Sequence, residues 1–183
     1  MRVIAGSARS IPLVAPEGLD TRPTQDRIKE TLFNMIQFEV GDSIFVDLFA
    51  GSGGIGIEAL SRGARKAYFV DKDSASIQCI KQNLNKTKLM DKAQIFSQDV
   101  FAYCRGLKER CDFVFMDPPY DHEYEKEVLK ILVDSKAVDE ATTIIIEASL
   151  ETEFDYVDAL GYEIIKQKQY KTNQHIFLRK KEV

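Results

Sequence analysis

From Ile44 onward this chain alternates short apolar runs with longer amphipathic ones, and that alternation leaves few folds open. Residues 44–48 read as a buried strand, followed by a glycine-rich turn at 50–54 and a helix ending near Gly63. Further strands fall at 66–70, 93–96, 112–116 and 142–146. The helices between and after them fall at 74–86, just after Asp99, at 123–133 and near 152–159. Two final strands, 162–169 and 174–179, are joined by Lys171-Thr172-Asn173 as an antiparallel hairpin. Apolar strands with intervening helices call for an α/β fold, a largely parallel sheet covered on both faces.

The first 25 residues are broken by Gly6, Pro12, Pro16, Gly18 and Pro23, so residues 2–5 and 11–14 make at most short strands. Residues 1–25 are expected to form an arm or small lobe packed on a main domain of residues 26–183. Thr24 is placed to cap a helix over about 25–38, with Asp26 in its first turn. Ile28, Leu32 and Ile36, with Met35, give that helix one apolar stripe. With 44% hydrophobic residues in 183, the chain can build one substantial core. No apolar segment is long enough to span a bilayer, and no basic-then-apolar leader pattern precedes the first strand. Cys79, Cys104 and Cys111 lack metal-ligand spacing. The expectation is a cytoplasmic protein with reduced thiols, no metal and no membrane partner.

A formal charge of -4 excludes a uniformly basic nucleic-acid coat but leaves room for local patches. Between Lys166 and Lys181 lie Lys166, Lys168, Lys171, Arg179, Lys180 and Lys181, with no acid among them. Arg2, Arg9, Arg22, Arg27 and Lys29 form a weaker group, diluted by Glu17, Asp20, Asp26 and Glu30. Either group also reads as ordinary solvated surface.

The densest chemical signal is Asp47-Leu48-Phe49-Ala50-Gly51-Ser52-Gly53-Gly54-Ile55-Gly56. A strand enters a tight turn whose glycines permit close backbone approach, and a helix follows. The spacing alone also suits a dinucleotide with its pyrophosphate on the helix N-terminus. Asp47 weighs against that use, because a carboxylate beside the turn attracts an ammonium and a sulfonium and repels a pyrophosphate. It also serves as a simple loop cap. Asp71, ending the second strand, can accept from both hydroxyls of a ribose. Asp99 follows the third strand, where it can accept from an adenine amino group or cap the next helix. Phe49, Phe101 and Ile77 are candidates for apolar contact.

Asp117-Pro118-Pro119-Tyr120 follows the apolar strand directly. Two prolines remove two backbone donors and stiffen the turn, leaving the Pro118 carbonyl and the Asp117 carboxylate as fixed acceptors. The amino nitrogen of a base shares its lone pair with the ring and is a poor nucleophile until acceptors hold its hydrogens. Positive charge developing on that nitrogen is stabilised by Asp117. Tyr120 offers a face on which an unstacked base can rest. A rigid structural turn is the plainer alternative. Neither His122 nor His175 reads as a catalytic base; His122 borders this loop and His175 lies on the terminal hairpin.

Asp117–Tyr120 resembles the Asp/Asn-Pro-Pro-aromatic hallmark of amino-directed Class I S-adenosylmethionine-dependent methyltransferases. Thr21-Arg22-Pro23-Thr24-Gln25-Asp26-Arg27, Glu30-Thr31-Leu32-Phe33-Asn34 and Phe49–Arg62, taken together, resemble the bacterial small-subunit ribosomal RNA guanine-N2 methyltransferases, the RsmD family. The resemblance runs from about Arg2 to Leu178. It implies a Rossmann-like, seven-stranded mixed sheet in the order 3-2-1-4-5-7-6, with strand 7 antiparallel. It implies methylation of one guanine of 16S ribosomal RNA on N2, giving N2-methylguanosine and S-adenosylhomocysteine, in a partly assembled small ribosomal subunit. It places Asp47, Gly51, Gly53, Asp71 and Asp99 in the cofactor pocket, and Asp117, Pro118 and Tyr120 in catalysis; Phe49 joins the cofactor-binding candidates as an apolar contact. Arg22, Thr24 and Arg27 fall in a segment bordering the active site, suited to RNA contact or lid closure. Arg9, with Lys168 and Lys171, completes the RNA-binding candidates. The Gly6-Ser7-Ala8-Arg9-Ser10-Ile11-Pro12 stretch departs from the family pattern, where a glycine and further basic residues are usual. Three readings compete: adenine-N6 methylation of DNA or RNA, a dehydrogenase that leaves Asp117–Tyr120 without a task, and a noncatalytic RNA-binding assembly protein. With no coiled-coil signal, a monomer is expected.

Overall fold

The computed structural model describes residues 1–18 and 23–183, with the side chains of 23 and 24 also outside the description. Seven strands form one sheet in the order β3-β2-β1-β4-β5-β7-β6. They are β1 (Ile44–Leu48), β2 (Lys66–Asp71), β3 (Ala93–Ser97), β4 (Phe113–Met116), β5 (Thr143–Ser149), β6 (Tyr162–Gln169) and β7 (Asn173–Lys180). The helices are α1 (Pro23–Met35), α2 (Gly54–Ser61), α3 (Ser74–Thr87), α4 (Val100–Gly106) and α5 (Tyr124–Leu132). β2, β1, β4 and β5 run parallel in sequence of pairing, with β3 parallel on β2, whereas β7 is antiparallel to both β5 and β6. This is the Class I methyltransferase topology expected above.

Strand alternation divides the apolar residues between two faces. Phe45, Phe69, Phe113, Phe115, Ile145 and Phe177 meet Leu32 and Phe33 of α1, Ile36 just beyond it, Ile57 of α2 and Ile80 of α3 on one side. Val46, Val70, Val114, Met116, Ile144, Ile146 and Leu178 meet Val100 of α4 and Val128, Leu129 and Leu132 of α5 on the other. Both cores require strands buried on two faces, which is why β1 and β4 are apolar throughout apart from Asp47.

The arm is held to this scaffold by polar as well as apolar contacts. Val3, Ala8 and Leu13 are buried, and the two predicted strands shrink to a single Arg2–Pro12 bridge flanked by backbone bonds Val3 to Ile11 and Leu13 to Met1. Glu58 of α2, fully buried, accepts from the N–H groups of Ile4 and Ala5 at 2.8 and 3.1 Å and pairs with Lys29 at 3.3 Å and Arg62 at 3.1 Å. Loss of water from around Lys29 lowers its pKa, against the pull of Glu58. Two partners, the Glu58 carboxylate and the Arg2 carbonyl 2.5 Å from Lys29 Nζ, explain how a helix face otherwise apolar carries a buried lysine.

Two expectations are corrected. α1 begins at Pro23, so Thr24 lies inside the first turn rather than at the cap, as suits a proline at a first helical position. Residues 152–154 are irregular and 155–159 are turns, not a helix. Thr152, Phe154, Asp155, Tyr156 and Val157 are poor helix formers in a run too short to nucleate cheaply. Three-residue backbone bonds, Val157 to Phe154 and Leu160 to Val157, drop Phe154 and Val157 into the core instead. β5 also runs three residues past its predicted end, to Ser149.

Candidate active site

The C-terminal ends of the parallel strands form a rim, and acids stand along it. β1 delivers Asp47, whose Oδ2 accepts from the N–H of Gly56, the third residue of α2, at 2.9 Å. A Cβ on Gly56 would lie 2.4 Å from the Phe69 ring and 3.2 Å from Asp47 Oδ2, so a side chain there displaces one or the other. Burial pushes the Asp47 carboxyl well above the usual carboxylate range, Gly56 N–H pulls it down, and Asp71 pushes it up again. Asp47 thus caps α2 at long range while its second oxygen, Oδ1, accepts from no described residue.

The turn that follows is strained where a ligand must approach. Phe49 has φ 54°, Gly51 has φ 56° and Gly53, the N-cap of α2, has φ 78°. A side chain on Gly51 would meet nothing within 4 Å, so this backbone borders open space. Asp71 closes the turn from β2: its Oδ2 accepts from Gly51 N–H and its Oδ1 from Asp73 N–H, both at 2.9 Å. Each oxygen keeps a lone pair for a ligand hydroxyl. Asp99, exposed after β3, caps α4 by accepting from Ala102 N–H at 3.0 Å. Phe49 stacks on Tyr124 with ring centroids 6.1 Å apart and planes within 3°, and Phe101 meets the same ring edge-on at 5.5 Å. Rim carboxylates, an open glycine and an aromatic wall make a donor set that fits an adenosyl group with a cationic tail. Ile77 lies in the opposite core, packed among residues of the α1–α3 face.

Beyond Met116, the last residue of β4, the register of β4 on β5 pairs Met116 with Ile146. Asp117 therefore falls beside Glu147, and Glu147 in turn pairs with His175 of β7. Pro118 is buried, while Asp117 and Tyr120 are exposed, Tyr120 at 49%. No described residue donates a hydrogen bond to the Asp117 carboxylate. Crowding by protein, then the fields of Glu147 and Asp47, push the Asp117 carboxyl well up. Because Asp117 keeps a face open to solvent, the two carboxylates are the firmer cause. The same surroundings raise the Tyr120 phenol to about 12: burial first, then Asp117 and Glu147, so its hydroxyl stays protonated.

Sequence reasoning passed over Glu147 and assigned His175 to the hairpin alone. His175 is fully buried, with Nε2 2.9 Å from Glu147 Oε2 and Nδ1 3.0 Å from the Tyr170 hydroxyl. Asn173 Nδ2 donates to Glu147 Oε1 at 2.9 Å. The available signal was a lone carboxylate in the apolar strand Ile144-Ile145-Ile146-Glu147-Ala148. His122 is exposed and stacks on Tyr124 at 5.0 Å, at the edge of the loop where it was expected.

The RNA candidates divide. Lys168 pairs in register with His175, which puts it on the row Asp117–Glu147–His175–Lys168, and exposed Lys171 occupies the hairpin turn at the same end of the sheet. At about 4.8 Å per strand, three steps separate Lys168 from Asp117 by roughly 14 Å. Arg9 is exposed in a turn whose Ser7 N–H bonds to the Ser61 carbonyl at 2.8 Å, at the far end of α2 from the rim. The structure does not bring Arg9 to Asp117. Arg27 is exposed on α1; Arg22 and the Thr24 side chain lie outside the described residues.

Residues 1–179 match the model of a protein family described as Conserved hypothetical protein 95. The chain is 42% identical over 158 residues to YlbH of Bacillus subtilis, covering 84% of this chain and 85% of that one. It is 32% identical over 173 residues to the ribosomal RNA small subunit methyltransferase D of Haemophilus influenzae, covering 92% and 88%. Among solved structures, yhhF from Escherichia coli superposes with a TM-score of 0.88 at 30% identity over 99% of this chain and 98% of the other.

Proposed function

The chain belongs to the Conserved hypothetical protein 95 family, and on that premise we propose that it methylates the exocyclic N2 of one guanine in small-subunit (16S) ribosomal RNA, using S-adenosylmethionine. The observation that carries this reading is the Asp117-Pro118-Pro119-Tyr120 turn at the end of β4, an unserved carboxylate standing on the same rim as Asp47 and the glycine turn. Relatives that carry ribosomal RNA small subunit methyltransferase in their names make that RNA the first substrate to test. The choice of guanine N2 follows from the family resemblance of residues 21–34 and 49–62. A partly assembled small subunit in the cytoplasm is the proposed setting, with the protein acting as a monomer.

Asp71 and Asp99 would hold the ribose and adenine ends of the cofactor, Gly51 and Gly53 would admit it close to the backbone, and Asp47 would offer its charge to the cationic tail. When bound, S-adenosylmethionine supplies an electrophilic methyl group on a sulfonium. Asp117 and the Pro118 carbonyl accept from the target amino group, turning its lone pair out of the ring and toward the methyl carbon. As the nitrogen becomes positive, Asp117 stabilises it and takes the proton that leaves. Tyr120, protonated and exposed, stacks against the extruded base.

The test is transfer of a labelled methyl group to small-subunit RNA, naked and in partly assembled particles, with duplex DNA alongside and all products digested to nucleosides. Label in N2-methylguanosine supports the reading. Label in N6-methyladenine of DNA contradicts it.

A further inference from the structure

Three strand ends carry one row of polar side chains across the sheet, and only the first has been given a task. Asp117 at the end of β4, Glu147 of β5 and His175 of β7 are register neighbours on the same face. Glu147 is held at both oxygens: His175 Nε2 lies 2.9 Å from Oε2 and Asn173 Nδ2 2.9 Å from Oε1. His175 is fixed in turn by the Tyr170 hydroxyl, 3.0 Å from Nδ1, and by the ring edge of Phe115 at 6.2 Å. The Tyr170 phenol, raised to about 12 by burial and then by Glu147, is a hydrogen-bond donor at neutral pH. Glu147 Oε2 only accepts, so Nε2 carries a hydrogen toward it, and in the singly protonated ring Nδ1 accepts from the Tyr170 hydroxyl.

Donors at both oxygens of one carboxylate favour its charged form over that of a neighbour with none. Two adjacent acids compete for one proton, and hydrogen bonds to the charged form of one send that proton to the other. Here the donors all belong to Glu147, and none belongs to Asp117.

We propose that Glu147, oriented by His175, Tyr170 and Asn173, is a positioning residue that makes Asp117 the proton acceptor for the attacking amine. The inference rests on the amino-methylation reading above. In the step it serves, the nitrogen lone pair forms the N–CH3 bond and the S–CH3 bond breaks with its pair going to sulfur. One amine proton passes to Asp117, and the solvent-open face of Asp117 then releases it. The charged and titratable groups facing Asp117 are Asp47 from β1, Glu147 from β5 and Tyr120 from its own loop. Those facing Glu147 are His175 and Tyr170, with Asp117 and Tyr120, and Lys168 stands opposite His175 on β6.

A purely structural role for the network predicts lower stability and an unchanged pH profile. A positioning role moves the profile. The single-turnover rate of the wild-type protein, with saturating cofactor and RNA, should rise with pH as Asp117 loses its proton. Glu147→Gln removes the like charge and should move that rise to lower pH by about one unit or more, with a slower plateau because a weaker base accepts less well. Tyr170→Phe, the gentler change, should move it by less in the same direction. An unmoved profile in a folded Glu147→Gln protein overturns the proposal while leaving the methyl-transfer reading standing; a wild-type protein that methylates no amine overturns both. Nitrogen-15 NMR of labelled histidine gives a readout free of activity. His175 protonated at Nε2 alone at neutral pH supports the arrangement, and a doubly protonated ring contradicts it.

Discussion

At the ends of β1, β2 and β3, Asp47, Asp71 and Asp99 each accept hydrogen bonds from backbone N–H groups, whereas on β5 Glu147 meets only side chains and Asp117, beside it at the end of β4, accepts from no described residue. The first three acids build the loops they stand in: Asp47 caps α2, Asp71 closes the glycine turn and Asp99 caps α4. The binding role proposed for them is added to a structural one. Asp117 caps nothing among the described residues, and its surroundings are electrically unbalanced. An unbalanced acid is costly to keep, and its worth appears only when positive charge arrives beside it. The contrast separates the half of the rim proposed to bind from the half proposed to react.

Paired substitutions test that separation, beginning with the larger effect. Asp117→Ala should slow single-turnover methyl transfer by roughly 100-fold or more, the scale of one strong transition-state hydrogen bond, with cofactor affinity retained. Asp71→Ala should weaken cofactor binding by about 1–3 kcal/mol, measured by calorimetry, with the rate at saturating cofactor largely kept. Asp117→Asn sharpens the first result: its side-chain oxygen still accepts, so partial activity favours positioning over an obligatory carboxylate. If Asp71→Ala lost rate and Asp117→Ala lost cofactor, the division of the rim would be wrong.

The smallest effect concerns the hairpin, which lies beyond the reacting half. Charge reversal of Lys168 and Lys171 together should weaken RNA binding and flatten its salt dependence, by about 0.7 in logarithmic slope for each phosphate no longer neutralised. Retained affinity with the same slope would return both lysines to ordinary surface. The same change at Arg9 should do little, since the arm holds that residue at the far end of α2.

The same contrast governs what was legible in the sequence. Asp47, Asp71 and Asp99 stand where an apolar run stops and a turn or helix starts, so position along the chain exposes them. Most element bounds were legible for the same reason, because near-continuous apolar runs mark strands buried on both faces, whereas the strand order came from the family resemblance. Asp117 was legible through its prolines. Glu147 and His175 were not, because they meet through strand pairing between segments 28 residues apart, and a histidine on a predicted hairpin carries no sign of burial. Residues 152–159 misled for the opposite reason: Phe154 and Val157 have helical spacing but reach the core from irregular chain and turns. The Lys29–Glu58 pair was hidden as well, since a lysine on an amphipathic helix reads as solvated until its carboxylate is found on another helix.

The activity proposed for this rim is methylation of a guanine amino group in small-subunit ribosomal RNA. Its most direct test is nucleoside analysis of ribosomal RNA and DNA from cells lacking the protein, with each lost modification mapped to its position. The account predicts that a single N2-methylguanosine disappears from the small-subunit RNA and returns with the wild-type protein but not with Asp117→Ala. An intact set of N2-methylguanosines, with a methylated adenine missing from DNA instead, would contradict it.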